Sequence, residues 1–270
     1  MGKSVGVISL KGGVGKTSSV AALGSALADF GKSVLLVDAN FSAPNLGLHF
    51  NLVDPEVTLH HVLDRVGRLR DSIYNMGKVH LMPSSLFYSR AINPLRLRNA
   101  IKNLKRRYDV TVIDSSPSLG DETLGAMLAS DELLVVTTPD VPTLSTTLKS
   151  VKRARQQGVP ITGLVLNKVH NKDFEVSIDD IESTAEVPVL AVIPHDLNIL
   201  RALRNALPIT DFKPKAEASE EFRKLAGAMI GQKYKPFEWK KFFQVFTPSR
   251  EEINREILYR RVFRDEPRNL

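Results

Sequence analysis

The chain has 270 residues, 43% of them hydrophobic, with no cysteine and a formal net charge of +7. That length supports one large core, or one core with an appendage, and the lack of thiols excludes disulfides, thiolate metal sites and iron–sulfur ligation. No apolar run approaches the roughly 20 residues that span a bilayer, and Met1-Gly2-Lys3 leads straight into an apolar run with no room for a signal peptide, so a cytoplasmic location is expected.

Apolar, β-branched runs recur at Ser4–Ser9, Ser33–Val37, Val79–Met82, Val110–Ile113, Leu133–Thr137, Ile161–Asn167 and Val187–Ile193. Most are continuous rather than alternating, which is the pattern of strands buried on both faces of a parallel sheet. Helical patterns separate them at Ser18–Phe30, Pro94–Arg107, Thr143–Gln157 and Ile178–Thr184. Gly31 and Gly158 stand where left-handed C-caps belong. The alternation predicts an α/β fold, a doubly wound, mostly parallel sheet flanked by helices.

Residues Lys11-Gly12-Gly13-Val14-Gly15-Lys16-Thr17 follow the first run and open the first helix. Three glycines let backbone N–H groups turn toward an anion, Lys16 can reach the β- and γ-phosphates, and the Thr17 hydroxyl can hold Mg²⁺. Ser18 adds a hydroxyl and an N–H for an α-phosphate. The alternative is a glycine-rich turn with two exposed lysines; seven ordered positions between a strand and a helix favour the phosphate reading.

Ligands of doubly wound sheets bind beyond the carboxyl ends of the strands. Here the runs end in Asp38-Ala39-Asn40, Asp114-Ser115-Ser116-Pro117, Thr137-Thr138-Pro139-Asp140, Asn167-Lys168 and Pro194-His195-Asp196. Asp114 has the position of an acid that orients water on Mg²⁺; its plainer reading is a turn cap. Asn167 offers the amide donors and the acceptor that an adenine edge requires. His195 alone reads as a surface-loop histidine, His60-His61 as a helix surface, and Arg201 and Arg204 as solvated helix charges.

The glycine that usually begins such a loop is replaced by Leu10, and an extra lysine, Lys11, stands beside it. Lys-Gly-Gly-Val-Gly-Lys-Thr resembles the deviant Walker A loop of the MinD/ParA family of ATPases. The resemblance runs from Met1 to about Gly231, and the stretch Asp38–Leu48 is similar to archaeal MinD-like proteins. It implies a P-loop NTPase fold, an ATPase with ATP and Mg²⁺, and a homodimer in the ATP state. In that dimer Lys11 reaches the partner's nucleotide.

Asp38–Leu46 corresponds to switch I, and Asp114–Gly120 to a switch II that senses the γ-phosphate. Lys11, Lys16, Asp38 and Asn40 form the implied catalytic set, and Thr17, Asp114 and Asp38 the metal set. Residues 11–18 and Asn167, Pro194, His195 and Asp196 surround the nucleotide. The implied role is a spatial switch for division or another positioned cell structure, with an activating or cargo protein that the sequence does not name.

Asn40 is the main departure, because the family usually has an aspartate there that positions the attacking water. An amide can hold a water but cannot take its proton at neutral pH. Slow hydrolysis, a long-lived ATP state and compensation by Asp38 stay open. Two other functions follow from the same residues: a DNA-segregation ATPase of ParA type, or an ATP-binding adaptor with negligible turnover.

Residues 232–270 differ in composition from the 1–231 body, with ten Lys+Arg, six Asp+Glu and eight of the chain's eighteen aromatics. Trp239, Phe242, Phe243 and Phe246 fall on one helical face flanked by Lys240 and Lys241. That character suits an anionic membrane surface on the inner face of the cell membrane, as in the terminal helix of MinD proteins. A second amphipathic helix follows a capping box, Ser249-x-x-Glu252, with Ile253, Ile257, Leu258 and Val262 on one side. Docking of both helices on the body, or their pairing as a hairpin, is the competing expectation; nucleic acid is the less favoured partner.

Overall fold

The computed structural model describes residues 2–234 and 248–265. Eight strands are β1 (Lys3–Ile8), β2 (Val34–Ala39), β3 (Tyr74–Asn75), β4 (His80–Met82), β5 (Val110–Ser115), β6 (Glu132–Thr137), β7 (Ile161–Val169) and β8 (Val189–Pro194). They form one sheet in the order β3-β4-β2-β5-β1-β6-β7-β8. Every pairing is parallel except the edge pair β3–β4. The seven expected strands are all present, and only the two-residue β3 was not anticipated.

The helices are α1 (Lys16–Asp29), α2 (Leu59–Leu63), α3 (Leu97–Ile101), α4 (Asp121–Leu128), α5 (Val141–Gln156), α6 (Ile178–Ala185), α7 (Leu197–Arg204), α8 (Ile209–Phe212), α9 (Glu217–Met229) and α10 (Arg250–Asp265). The strand residues divide by parity between two layers, which is why their runs are uninterrupted. Val34 and Leu36 join a core with α1 and α9 residues such as Leu27 and Phe222. Leu35 and Val37 join Leu59, Leu97 and Ala126 on the opposite face. Leu133 and Val135 pack with Val151 and Ile181 under α5 and α6. At Gly24 a Cβ would lie 2.5 Å from Leu36, so glycine lets α1 settle on the sheet. Gly31 and Gly158 have φ of +75° and +68°, the left-handed caps expected after α1 and α5.

Three expectations change. The predicted helix over Pro94–Arg107 is a relay of a 3₁₀ turn (Pro94–Arg96), α3, and a second 3₁₀ turn (Lys102–Arg106). Arg98, Lys102 and Arg106 stand four apart, and like charges at that spacing weaken an α-helix. His60 is not on a helix surface: it is 4% exposed, edge-on to Phe41 and against Tyr88, with Nδ1 accepting the Ser85 N–H at 3.0 Å. Burial pushes its pKa down to about 4. His61 instead closes a capping box with Thr58 at the start of α2.

The third change concerns the extension. Its second helix, α10, docks on α9 and β8, and the Ser249 N–H donates to Glu252 Oε2 at 3.1 Å, the expected capping-box bond. The apolar residues do not share one side: Leu258 is buried, whereas Ile253 and Ile257 are 42% and 54% exposed. Polar anchors set the helix rotation. Asn254 Nδ2 donates to Glu182 Oε1 (2.6 Å) and the Val189 carbonyl (2.9 Å). Buried Arg255 donates through Nη1 to Glu221 Oε2 (2.8 Å) and the Leu190 carbonyl (3.1 Å). Trp239, Phe242, Phe243 and Phe246 lie outside the described residues.

Breaking a buried ion pair from one side costs about 3 kcal/mol because the remaining charge stays desolvated. Arg255→Ala is therefore expected to undock α10 while the sheet stays folded. Hydrogen exchange across 250–262 checks this: faster exchange there with unchanged protection in β1 and β5 is the expected pattern.

Candidate functional site

Along β1 and into α1 the backbone turns sharply at Gly13 (φ +78°) and Gly15 (φ +90°). A Cβ on Gly12 or Gly13 would meet nothing within 4 Å, so these glycines border open space, whereas one on Gly15 would strike Asn167 Nδ2 at 2.2 Å. The fourteen-residue α1 begins with no side-chain cap and no acidic residue in its first turn. Its first N–H groups have no intrahelical acceptor, and the helix dipole adds positive potential there. The result is an anion cradle.

The cradle opens into a cavity of about 340 Å³ lined by residues 11–18, by Asn40 and Asn45, by Asn167 and Lys168, and by Pro194-His195-Asp196. The expected loop and nucleotide residues thus converge at one edge of the sheet, beyond the ends of β1, β2, β7 and β8. Lys168, named with Asn167 at its strand end, also lines it, and sequence reading missed His49 and the α7 side chains Ile199, Leu200 and Leu203. Lys168 follows Asn167 directly and its Nζ donates to the Gly13 carbonyl at 2.6 Å, a role that spacing could not show.

Beneath the cradle, β2 and β5 place Asp38 opposite Asp114 in register. Both are buried, at 1% and 0% exposure. Lys16 Nζ donates to Asp114 Oδ1 and to the Ser115 carbonyl, and Thr17 Oγ1 donates to Asp114 Oδ2 at 2.7 Å. Asp38 accepts the backbone N–H groups of Asn40 (3.1 Å), Asn45 (3.1 Å) and Leu46 (3.0 Å). Burial and the nearby Asp114 carboxylate nevertheless push its pKa up to about 7. A lysine, a threonine hydroxyl and two carboxylates at one point suit a hydrated divalent cation beside a phosphate chain.

Three buried side-chain oxygens lack a hydrogen-bond partner among the described residues, Glu132 Oε1 at the start of β6 and, lining the cavity, Asn40 Oδ1 and Asn167 Oδ1. The two amide nitrogens are occupied, Asn40 Nδ2 by the Ala43 carbonyl (2.6 Å) and Asn167 Nδ2 by the Val14 carbonyl (2.7 Å). Each asparagine oxygen is thus oriented by its own amide group and left to accept from a molecule in the cavity. These orphaned acceptors and the open glycine cradle fit Mg²⁺-nucleotide. His195 stacks on His170 with ring centroids 4.5 Å apart. Lys11 sits at the rim, its Nζ donating to Asp140 Oδ1 (3.2 Å) and to the Thr143 hydroxyl.

Comparisons with known proteins agree with this geometry. A family profile described as an AAA domain matches residues 2–159. One for 4Fe-4S iron sulfur cluster binding proteins of the NifH/frxC family matches residues 124–247, but this chain has no cysteine to hold a cluster. An uncharacterized ATP-binding protein of Methanocaldococcus jannaschii is 33% identical over 237 residues, 87% of this chain and 90% of that protein. The septum site-determining protein MinD of Bacillus subtilis is 28% identical over 249 residues, covering 86% and 90%. Pyrococcus horikoshii MinD, solved with Mg-ADP, superposes with a TM-score of 0.80 at 32% identity, covering 84% of this chain and 95% of that one. Pyrococcus furiosus MinD, a cell division ATPase, gives 0.80 at 35%, covering 84% and 97%. The chain belongs to the MinD/ParA family of P-loop ATPases, which use ATP and Mg²⁺.

Proposed function

We propose that the chain is an ATP-driven dimeric switch of MinD type, which positions a division site or another cell structure and attaches reversibly to anionic membrane through residues 239–246. The observation that carries the reading is the rim of the cavity. Lys11 is held there by Asp140 and Thr143 with its side chain 41% exposed, and α7 lines the same cavity with Leu200 and Leu203, which are 62% and 36% exposed. A long cation and an apolar row at the mouth of a nucleotide site suit closure by a second copy.

Lys16 would then hold the β- and γ-phosphates in place of Asp114, and Thr17, Asp114 and Asp38 would hold a hydrated Mg²⁺. Asn167 Oδ1 would accept from the base. Bound Mg²⁺-ATP supplies a phosphoryl group for transfer to water, with the metal neutralising its oxygens. Asn40 Oδ1 would orient that water without taking its proton, so turnover would rest on positioning and be slow. Two modest membrane contacts per dimer, one from each copy's residues 239–246, would act by avidity.

Lys16→Ala is expected to abolish the calorimetric heat of ATP binding. Lys11→Ala is expected to keep that heat and lose ATP-dependent dimerisation by light scattering; an unchanged dimer would remove the rim from the reading. Equal liposome co-sedimentation with ADP and ATP would count against reversible attachment.

Asn40→Asp restores a group able to accept the water's proton, so phosphate release should rise roughly 100-fold. Brisk wild-type turnover would contradict the assignment of slow hydrolysis.

Asp38 also gives a pH signature. Its folded pKa lies above the unfolded value, so the folded apo protein binds the proton more tightly. The stabilisation is present below about pH 4 and fades as pH rises toward 7. Melting temperatures of apo wild type should therefore fall over that interval relative to Asp38→Asn, which has no such titration.

A further inference from the structure

One wall of the nucleotide cavity carries a side chain with no task in the phosphate cradle, the metal pair or the base end. His49 is 6% exposed and lines the cavity, yet its ring has no hydrogen-bond partner among the described residues. The other five histidines are all engaged. His60 accepts the Ser85 N–H, His61 closes the cap of α2 with Thr58, His80 meets the Tyr108 hydroxyl at 2.9 Å, and His170 and His195 stack on each other. A buried imidazole without a partner loses its hydration with nothing in return unless a molecule in the cavity replaces it.

Local geometry fixes where this ring stands. His49 belongs to a 3₁₀ turn, Leu46–Phe50, that follows β2. Asp38 holds the head of the turn by accepting the Asn45 and Leu46 N–H groups, and the Leu52 N–H closes its end on the Gly47 carbonyl at 3.0 Å. A Cβ on Gly47 would lie 2.3 Å from the Leu52 carbonyl oxygen, so glycine is what lets the chain double back. Leu46 is buried in the core that holds Val20 and Leu23 of α1, and Phe50 packs against the same core. The neighbours on both sides are pinned, so the ring is held at the cavity wall.

In the sheet, β2 lies on one side of β1, whereas β7 and β8, which supply Asn167 and Pro194, lie on the other. A nucleotide with its base at Asn167 and its phosphates in the cradle after β1 therefore extends toward β2. His49 stands at that phosphate end. Asn45, at the head of its turn, lines the cavity and bonds Asp38, and the Asp114 carboxylate acts on the His49 ring, partly offsetting the burial that lowers its pKa. The ring is thus neutral near pH 7, with one N–H to donate and one lone pair. Other buried groups on this side are acceptors or committed donors: Asn40 presents Oδ1, Asp38 and Asp114 are carboxylates, and Lys16 is drawn to Asp114. A terminal phosphate arriving here needs donors.

We propose that His49 is a specificity residue of the nucleotide site, its ring N–H donating to the terminal phosphate of Mg²⁺-ATP and so favouring the triphosphate over ADP. The proposal rests on the reading of the cavity as an ATP site with the base at Asn167. A hydrogen bond to a charged acceptor in a buried site is among the stronger ones, and ADP would leave the imidazole unpaired. Through the turn that Asp38 holds, His49 ties the loop after β2 to the presence of the third phosphate.

The test is isothermal titration calorimetry of the full chain with Mg²⁺-AMPPNP and with Mg²⁺-ADP. His49→Phe keeps a ring of similar size without an N–H, and should lose about tenfold in AMPPNP affinity while ADP affinity stays within about twofold. His49→Gln, which restores an N–H donor, should recover most of the preference. Nitrogen-15 spectra of histidine-labelled wild type give a readout that does not depend on the stability of a variant. AMPPNP should shift one imidazole signal, the one missing from either variant, and ADP should leave it in place.

Equal losses for the two nucleotides, an undiminished AMPPNP affinity in His49→Phe, or an imidazole signal that ADP moves as far as AMPPNP would each overturn the proposal. In those cases wild type still binds nucleotide, so the site itself stands. Wild type that binds neither nucleotide would remove the site and this role together.

Discussion

Two buried carboxylates at the ends of adjacent strands set the terms for this molecule. Asp38 and Asp114 stand in register on β2 and β5, and neither has measurable contact with solvent beyond 1%. Such a pair does not hold two negative charges unaided. The chain answers with Lys16 and Thr17 from the start of α1 on Asp114, and with three backbone N–H groups of the following loop on Asp38. Phosphate loop, first switch and central strands are thereby joined at one electrostatic knot. Any ligand that draws Lys16 away must bring its own cation or lose the balance, which makes Mg²⁺ and triphosphate a matched set.

The same logic explains the behaviour of the two asparagines. Asn40 and Asn167 each commit their amide nitrogen to a loop carbonyl and leave the oxygen buried and unanswered. A protein without a ligand to satisfy them would carry a desolvation penalty with no return. Their orientation is fixed by local bonds, so the site is largely formed before anything enters it. An amide at position 40 can hold a water but cannot accept its proton at neutral pH.

Away from the cavity, polar groups again fix what apolar patterning leaves loose. The rotation of α10 follows Asn254 and Arg255 rather than its isoleucines. His60 is drawn into the core because Ser85 offers a backbone N–H and Phe41 an aromatic edge. The nucleotide end and the docked extension are separate surfaces of one scaffold.

The sheet was legible in the sequence because parallel strands covered on both sides need unbroken β-branched runs, and seven of eight strands announce themselves that way. The phosphate loop was equally legible, since its glycines, lysine and threonine are adjacent in the chain and their chemistry is local. Helix α9 was not, because its buried face mixes Phe222 and Leu225 with alanines, Glu221 and Arg223 that find partners only in the folded state. Nor were Ile199 and Leu200 as cavity residues, since their place depends on how α7 approaches the loop. Sequence by itself determined what short-range geometry dictates: strand periodicity, caps and the anion cradle. Tertiary structure alone decided which distant charges meet, because pairings such as Lys16 with Asp114, Arg255 with Glu221 and Asp38 with Asp114 join residues far apart along the chain and close only in space.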